Sequence, residues 1–224
     1  MSPGTTRARG ATGGAAQDAI VILVKHTRRP LLRGEPIRIA LHAAGLVFED
    51  HRISFDEFLQ TRERMRFNCA PVLRIDDVEI TQSNAMLRYA GKLAGLYPED
   101  TTQALYCDEA MDAVEDLLHH IVHTFGLEGN ELKAARQKLI DGWLTIFIKG
   151  LGEIVERGGD YVADNRLTVA DLKVYVQTRS LRSGMLDHVP TDLVDQLAPR
   201  LVEHEERIAA HPVVTGYYDD LEKS

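Results

Sequence analysis

Apolar positions follow two different spacings along the 224-residue chain, and the change from one to the other divides it. Ile20-Val21-Ile22-Leu23-Val24 is an unbroken aliphatic run of the kind a strand covered on both faces requires. Ile37, Ala40, Leu41 and Ala44 then recur at helical spacing and stop at Gly45, a residue suited to a C-terminal cap. Val47 to Ile53 reads as a second strand, so the chain opens β-α-β with a parallel pair. Pro71-Val72-Leu73-Arg74-Ile75 and Val78-Glu79-Ile80 flank the turn residues Asp76-Asp77 and predict a hairpin. Ser83 is placed to N-cap a helix whose buried stripe is Met86, Ala90 and Leu93.

Beyond Leu96 only the helical period continues. It is carried by Met111, Val114, Leu118 and Ile121, then by Leu139, Trp143, Ile146, Phe147 and Ile154, then by a helix opening at Thr168. Thr168-Val169-Ala170-Asp171 is a capping box with Asp in place of Glu, and Leu167 with Leu172 supplies a hydrophobic staple. The pattern therefore predicts an α/β domain over 19–97, a linker over 98–103 and an all-helical domain over 104–224. Residues 1–18, rich in Gly, Ala, Ser and Thr with no acid before Asp18, are expected to form a disordered tail. They lack the apolar core of a secretory signal, and a targeting segment is the alternative reading.

The chain is long enough to bury a real core. Its 34 acids against 26 bases give a formal charge of −8, which argues against a nucleic-acid surface. No apolar run approaches the roughly 20 residues a membrane span needs, so no membrane partner is expected. Two cysteines, Cys69 and Cys107, build no disulfide framework and favour a reducing, cytoplasmic setting. Gly150-Leu151-Gly152 lacks the context of a dinucleotide fingerprint, and no G-x-S-x-G elbow is present.

Five segments carry a family resemblance: Arg33-Gly34-Glu35-Pro36-Ile37-Arg38, Phe48-Glu49-Asp50-His51-Arg52-Ile53, Ala70-Pro71-Val72-Leu73, Gln82-Ser83-Asn84-Ala85 and Leu87-Arg88-Tyr89. In this order and spacing they resemble the glutathione transferases, most of all the sigma-like class. The resemblance implies a thioredoxin-like N-terminal domain followed by an all-helical C-terminal domain, and a cytoplasmic homodimer active in detoxification. It implies glutathione as co-substrate, a small electrophilic or apolar second substrate, and no required metal.

By the same resemblance, Gln82 and Ser83 bind the γ-glutamyl carboxylate, whose charge suits the free N–H groups and dipole of a helix N-terminus. Ala70, ahead of a cis Pro71, pairs its backbone with the cysteinyl unit like an added strand. Cys69 lies near glutathione, either able to form a mixed disulfide or simply an inert thiol. Phe58 and Arg62 fall where the family meets the glycyl carboxylate, and Arg62 offers a bidentate cation. Thr27 stands where sigma-like enzymes carry the tyrosine that donates to the glutathione thiolate. Lowering a thiol pKa by two units takes about 2.7 kcal/mol, and a neutral hydroxyl bond supplies about 0.5–1.5 kcal/mol. Arg33, matching an arginine near the family's active centre, would add to what Thr27 supplies. Arg28-Arg29-Pro30-Leu31-Leu32 departs from the family at the mouth of the electrophile site, leaving substrate preference open.

Between Glu99 and Leu132 there are nine acids and no Lys or Arg. This run is either a solvated face or a dimer-cleft surface, in which Asp108 matches the position that contacts the neighbouring subunit's glutathione. Glu115, His119 and His123 share a helix face but are an incomplete metal set on their own. Two other readings remain: a non-catalytic glutathione- or ligand-binding protein on the same scaffold, and a Cys69-dependent thiol reductase.

Overall fold

The structure is a computed structural model that describes residues 19–24, 33–76 and 78–223; for residues 19–24 and Phe55 it describes the backbone alone. The expected tail over 1–18, Thr27 and the 28–32 loop lie outside the described residues. Strands β1 (Ala19–Val24), β2 (Phe48–Ile53), β3 (Val72–Ile75) and β4 (Val78–Ile80) form one sheet in the order β2-β1-β3-β4. β1 runs parallel to β2 and antiparallel to β3, which pairs antiparallel with β4. The β-α-β opening and the hairpin thus stand as the sequence implied.

Helix α1 (Glu35–Ala43) ends beside Gly45, whose φ of 66° is the left-handed conformation a glycine cap adopts without a Cβ penalty. Its Arg38, only 2% exposed, donates to Glu35 at 3.0 Å and to both oxygens of Asp50 at 3.0 Å. That fork ties α1 to β2. Helix α2 (Phe55–Thr61) is capped by Ser54, which accepts from the Glu57 N–H, and two short 3-10 turns follow over Arg62–Arg64 and Arg66–Asn68.

Helix α3 (Ser83–Leu93) departs from its predicted start and stripe. Gln82, not Ser83, is the N-cap, and no side chain caps it, so Ser83 is the first helical residue. Leu93 is 44% exposed, while Met86, Leu87, Ala90 and Gly91 are buried. The reason is Gly91: a Cβ there would stand 2.5 Å from Val169 Cγ1, so this face and not the Leu93 face meets the second domain.

The helical domain contains α4 (Thr101–Val122), α5 (Gly129–Leu139), α6 (Thr145–Gly158), α7 (Val169–Arg182), α8 (Leu193–Leu197), α9 (Pro199–Ala209) and α10 (Pro212–Lys223). Asp100 caps α4 through the Thr102 and Gln103 N–H groups, so this helix begins inside the segment expected as linker. A π turn over Ile140–Leu144, with Gly142 at φ −126° and ψ −108°, joins α5 to α6. The extra residue advances the helical phase. Leu144, Ile148, Leu151 and Val155 are therefore buried, whereas Trp143 and Ile146 of the predicted stripe are 51% and 59% exposed.

Helix α7 is central: every residue but Arg179 and Arg182 is buried. Its capping box forms as predicted, and Asp171 accepts from the N–H and hydroxyl of Thr168 and the N–H of Val162, each at 2.7 Å, and from His204 at 2.9 Å. The Val169 N–H donates to the Leu96 carbonyl at 2.9 Å, joining the end of the first domain to the start of α7. Among the described residues no helix is long and apolar enough to cross a membrane.

Candidate functional site

The site is built where α3 begins. The Ala70-Pro71 peptide bond is cis, as the expected backbone pairing requires, and Ala70 is half-buried immediately before β3. β4 then leads into Gln82, which holds φ 74° and ψ 101°. A non-glycine residue in this region is uncommon and persists only where its surroundings hold it. The turn leaves the N-terminus of α3 without a side-chain cap, and the partial positive charge of a helix N-terminus favours an anion.

Ser83 is 7% exposed, and its hydroxyl donates to Glu115 of α4 at 2.9 Å. The same carboxylate receives Arg33 at 2.5 Å through one oxygen and Lys173 at 2.8 Å through the other. Lys173 also donates to Asn84 Oδ1, and Asn84 Nδ2 donates to Asp112 and to the Met111 carbonyl at 3.2 Å. Burial alone would raise the Glu115 carboxyl, but the charges of Lys173 and Arg33 outweigh it and hold its pKa down at about 2. Burial pushes the Lys173 ammonium below the ordinary lysine range, opposed by Glu115. The carboxylate thus stands ionised between two cations, orienting the first hydroxyl of α3.

A second layer follows one turn along α3. Arg88 reaches Asp108 at 2.7 Å and Asp112 at 3.4 Å, and the Tyr97 hydroxyl donates to Asp108 at 3.0 Å. Asp108, expected to face a neighbouring subunit, is engaged within its own chain. Three acids of the α4 run therefore hold the two domains together rather than forming only a solvated face.

The remaining predicted residues are spread along the edge of the same domain. Arg62, at the end of α2, is exposed and makes no ion pair with a described residue; Phe58 lies one turn before it, half-buried. The Cys69 thiol is half-buried with its Sγ 3.8 Å from the Arg66 carbonyl. Cys107 is fully buried, and burial pushes its thiol up to about 12, far from a nucleophile. His119 and His123 face each other with 3.2 Å between their Nε2 atoms, but Glu115 turns away to Arg33 and Lys173. No group of three His, Cys, Asp or Glu side chains among the described residues is arranged to hold a metal ion.

Lys173 and Asn84 were not singled out by sequence reasoning. A signal existed: Lys173 is the only basic residue between Arg166 and Arg179 and stands among the apolar Leu172, Val174 and Val176, and a lysine is almost never fully buried unless paired.

A thioredoxin-like sheet, an uncapped α3 opening beside a cis proline and an all-helical second domain define the architecture of a glutathione-binding transferase. Residues 25–92 match the glutathione S-transferase N-terminal domain, and residues 115–220 match the glutathione S-transferase C-terminal domain. Glutathione S-transferase 3 of Caenorhabditis elegans is 27% identical over 173 residues, 74% of this chain and 84% of its own length. Glutathione S-transferase alpha-3 of Rattus norvegicus is 30% identical over 150 residues, 62% of this chain and 65% of its own length. Among solved structures, prostaglandin synthase D of Nilaparvata lugens superposes with a TM-score of 0.75 at 21% identity, covering 89% of this chain and 97% of that one. The sigma class transferase of Fasciola hepatica gives 0.73 at 22% identity, covering 90% and 96%. The chain belongs to the glutathione S-transferase family.

Proposed function

We propose that this protein is a glutathione transferase of sigma-like character, which joins the glutathione thiolate to a small electrophile or uses it to isomerise one, and works as a cytoplasmic homodimer in detoxification. The observation that carries the reading is the uncapped start of α3, where Gln82 is held at φ 74° and the Ser83 hydroxyl is fixed by Glu115. A γ-glutamyl carboxylate would lie on the N–H groups there, and the cysteinyl unit along the backbone of Ala70. Arg62 would take the glycyl carboxylate and Phe58 its backbone, with Cys69 alongside. Arg33, held at the same seam, would add a positive charge near the thiol while Thr27 supplies a hydroxyl. Chemistry is then mainly proximity and thiolate stabilisation.

The deciding experiment is the thiolate absorbance of bound glutathione, titrated against pH in wild type, Thr27→Ala and Cys69→Ala. A thiol pKa depressed in wild type and restored in Thr27→Ala supports catalysis. Bound glutathione with an ordinary thiol pKa points instead to a non-catalytic binder, the second reading, which the absence of a tyrosine at position 27 favours. Loss of the thiolate signal in Cys69→Ala alone would replace both with a thiol reductase.

A further inference from the structure

The last turn of α4 and its cap read His119-His120-Ile121-Val122-His123, so His119 and His123 stand one turn apart on one helix face. Both are exposed. Their Nε2 atoms lie 3.2 Å apart while their ring centroids lie 4.7 Å apart, so the nitrogen ends of the two rings lean toward one another. Imidazole nitrogens bind a divalent transition metal at about 2.0–2.1 Å, and two such bonds spanning 3.2 Å enclose about 100–106° at the metal. That angle falls between the octahedral and tetrahedral values. The pair therefore has the bite of a chelate with no change of backbone. Without metal, one Nε2–H donates to the other Nε2; on chelation that hydrogen passes to its own ring's Nδ1, so both rings stay neutral and no proton is lost.

The surroundings favour a cation. His123 is the C-cap of α4, and the C-terminal end of a helix carries partial negative charge. The chain from Glu99 to Leu132 holds nine acids and no Lys or Arg. Among them Asp116, three residues before His119 on the same face, is exposed and makes no ion pair with a described residue. We propose that His119 and His123 chelate a divalent transition-metal ion of the kind that prefers imidazole, Cu²⁺ above Zn²⁺, with water in the remaining positions. The spacing is that of the His-Glu-x-x-His zinc peptidases, but His120 stands where their glutamate base would be and stacks on Trp143 at 4.5 Å. The site thus binds without hydrolysing. It is also separate from the glutathione reading, because Glu115, one turn before His119, is committed to Arg33 and Lys173.

Trp143 is the only tryptophan in the chain, and His120 bridges it to His119 through ring contacts, so its fluorescence reports on this turn. The full chain is titrated with CuSO₄ while that fluorescence is followed, and with ZnCl₂ in a calorimeter. Wild type should show saturable quenching in the micromolar range and one ion per chain. His119→Ala and His123→Ala should each weaken binding by about tenfold or more, and the double variant should fall little further, since either loss breaks the chelate. His51→Ala, an exposed histidine of β2, should change nothing. Zn²⁺ should raise the thermal midpoint of wild type and of neither single variant, and midpoints measured without metal show that the variants fold. Quenching that survives in both single variants, as it would if Cys69 or residues 1–18 held the ion, overturns the proposal. So do losses that simply add, or no saturation below millimolar copper.

Discussion

The Ser83 hydroxyl donates across the domain seam to Glu115, 32 positions further along the chain, so the first turn of α3 is oriented by a carboxylate of the other domain. That carboxylate in turn depends on Lys173, which is 1% exposed. Removing one partner of such a pair strands a buried charge, which typically costs about 3–5 kcal/mol; the partial exposure of Glu115 puts this case at about 2–3 kcal/mol. Glu115→Gln and Lys173→Met should each lower the denaturant midpoint, and the double variant should regain part of the loss. Purely additive losses in the urea titrations would contradict the coupling.

The pH response has a defined sign. The Glu115 carboxyl sits at about 2 in the folded protein against 4.5 ordinarily, so its contribution is complete above pH 4.5 and fades as pH falls toward 2. The stability difference between wild type and Glu115→Gln should therefore shrink between pH 6 and pH 3. An equal difference at both values, read from urea unfolding, would be incompatible with this assignment.

Asp171 satisfies four donors at once, and both its oxygens are used. Asp171→Ala should cost about 3–5 kcal/mol, as the loss of a buried charged hub does, and Thr168→Ala about 1–2 kcal/mol as the loss of a cap. Thermal unfolding with the two ranked in that order is the expected result. A tolerated Asp171→Ala would show that the hub is dispensable.

Gly91 leaves no room for a methyl group beside Val169. Gly91→Ala should destabilise by about 1–3 kcal/mol through overpacking, against a helix-propensity gain of about 1 kcal/mol. Adding Val169→Ala should recover the gain by opening the space. If the double variant is no better than Gly91→Ala alone, the clash is not the cause.

Local signals carried the fold far. The β-α-β opening, the hairpin, the Gly45 cap and the Thr168 box all rest on residues close in sequence, whose periodicity and turn chemistry report directly on backbone conformation. The misplaced stripes have identifiable causes. One inserted residue in the Ile140–Leu144 π turn rotated Trp143 outward, and a tight approach at Gly91 displaced Leu93. The site was legible only in part. Gln82, Ser83 and Ala70 sit in one short stretch with a motif, whereas Glu115 and Lys173 meet across 58 positions, a pairing no local pattern encodes. The unexpected N-cap at Gln82 arises because an unusual backbone conformation, not propensity, starts that helix.

The bond from the Val169 N–H to the Leu96 carbonyl has a consequence for how the molecule comes apart. It locks the last turn of one half to the nucleating turn of the other's innermost helix, so opening the first half frees the Val169 N–H and opening the second frees the Leu96 carbonyl. Heating should accordingly produce one cooperative transition, with calorimetric and van't Hoff enthalpies in agreement, and a proteolytic nick near Pro98 should loosen both halves together.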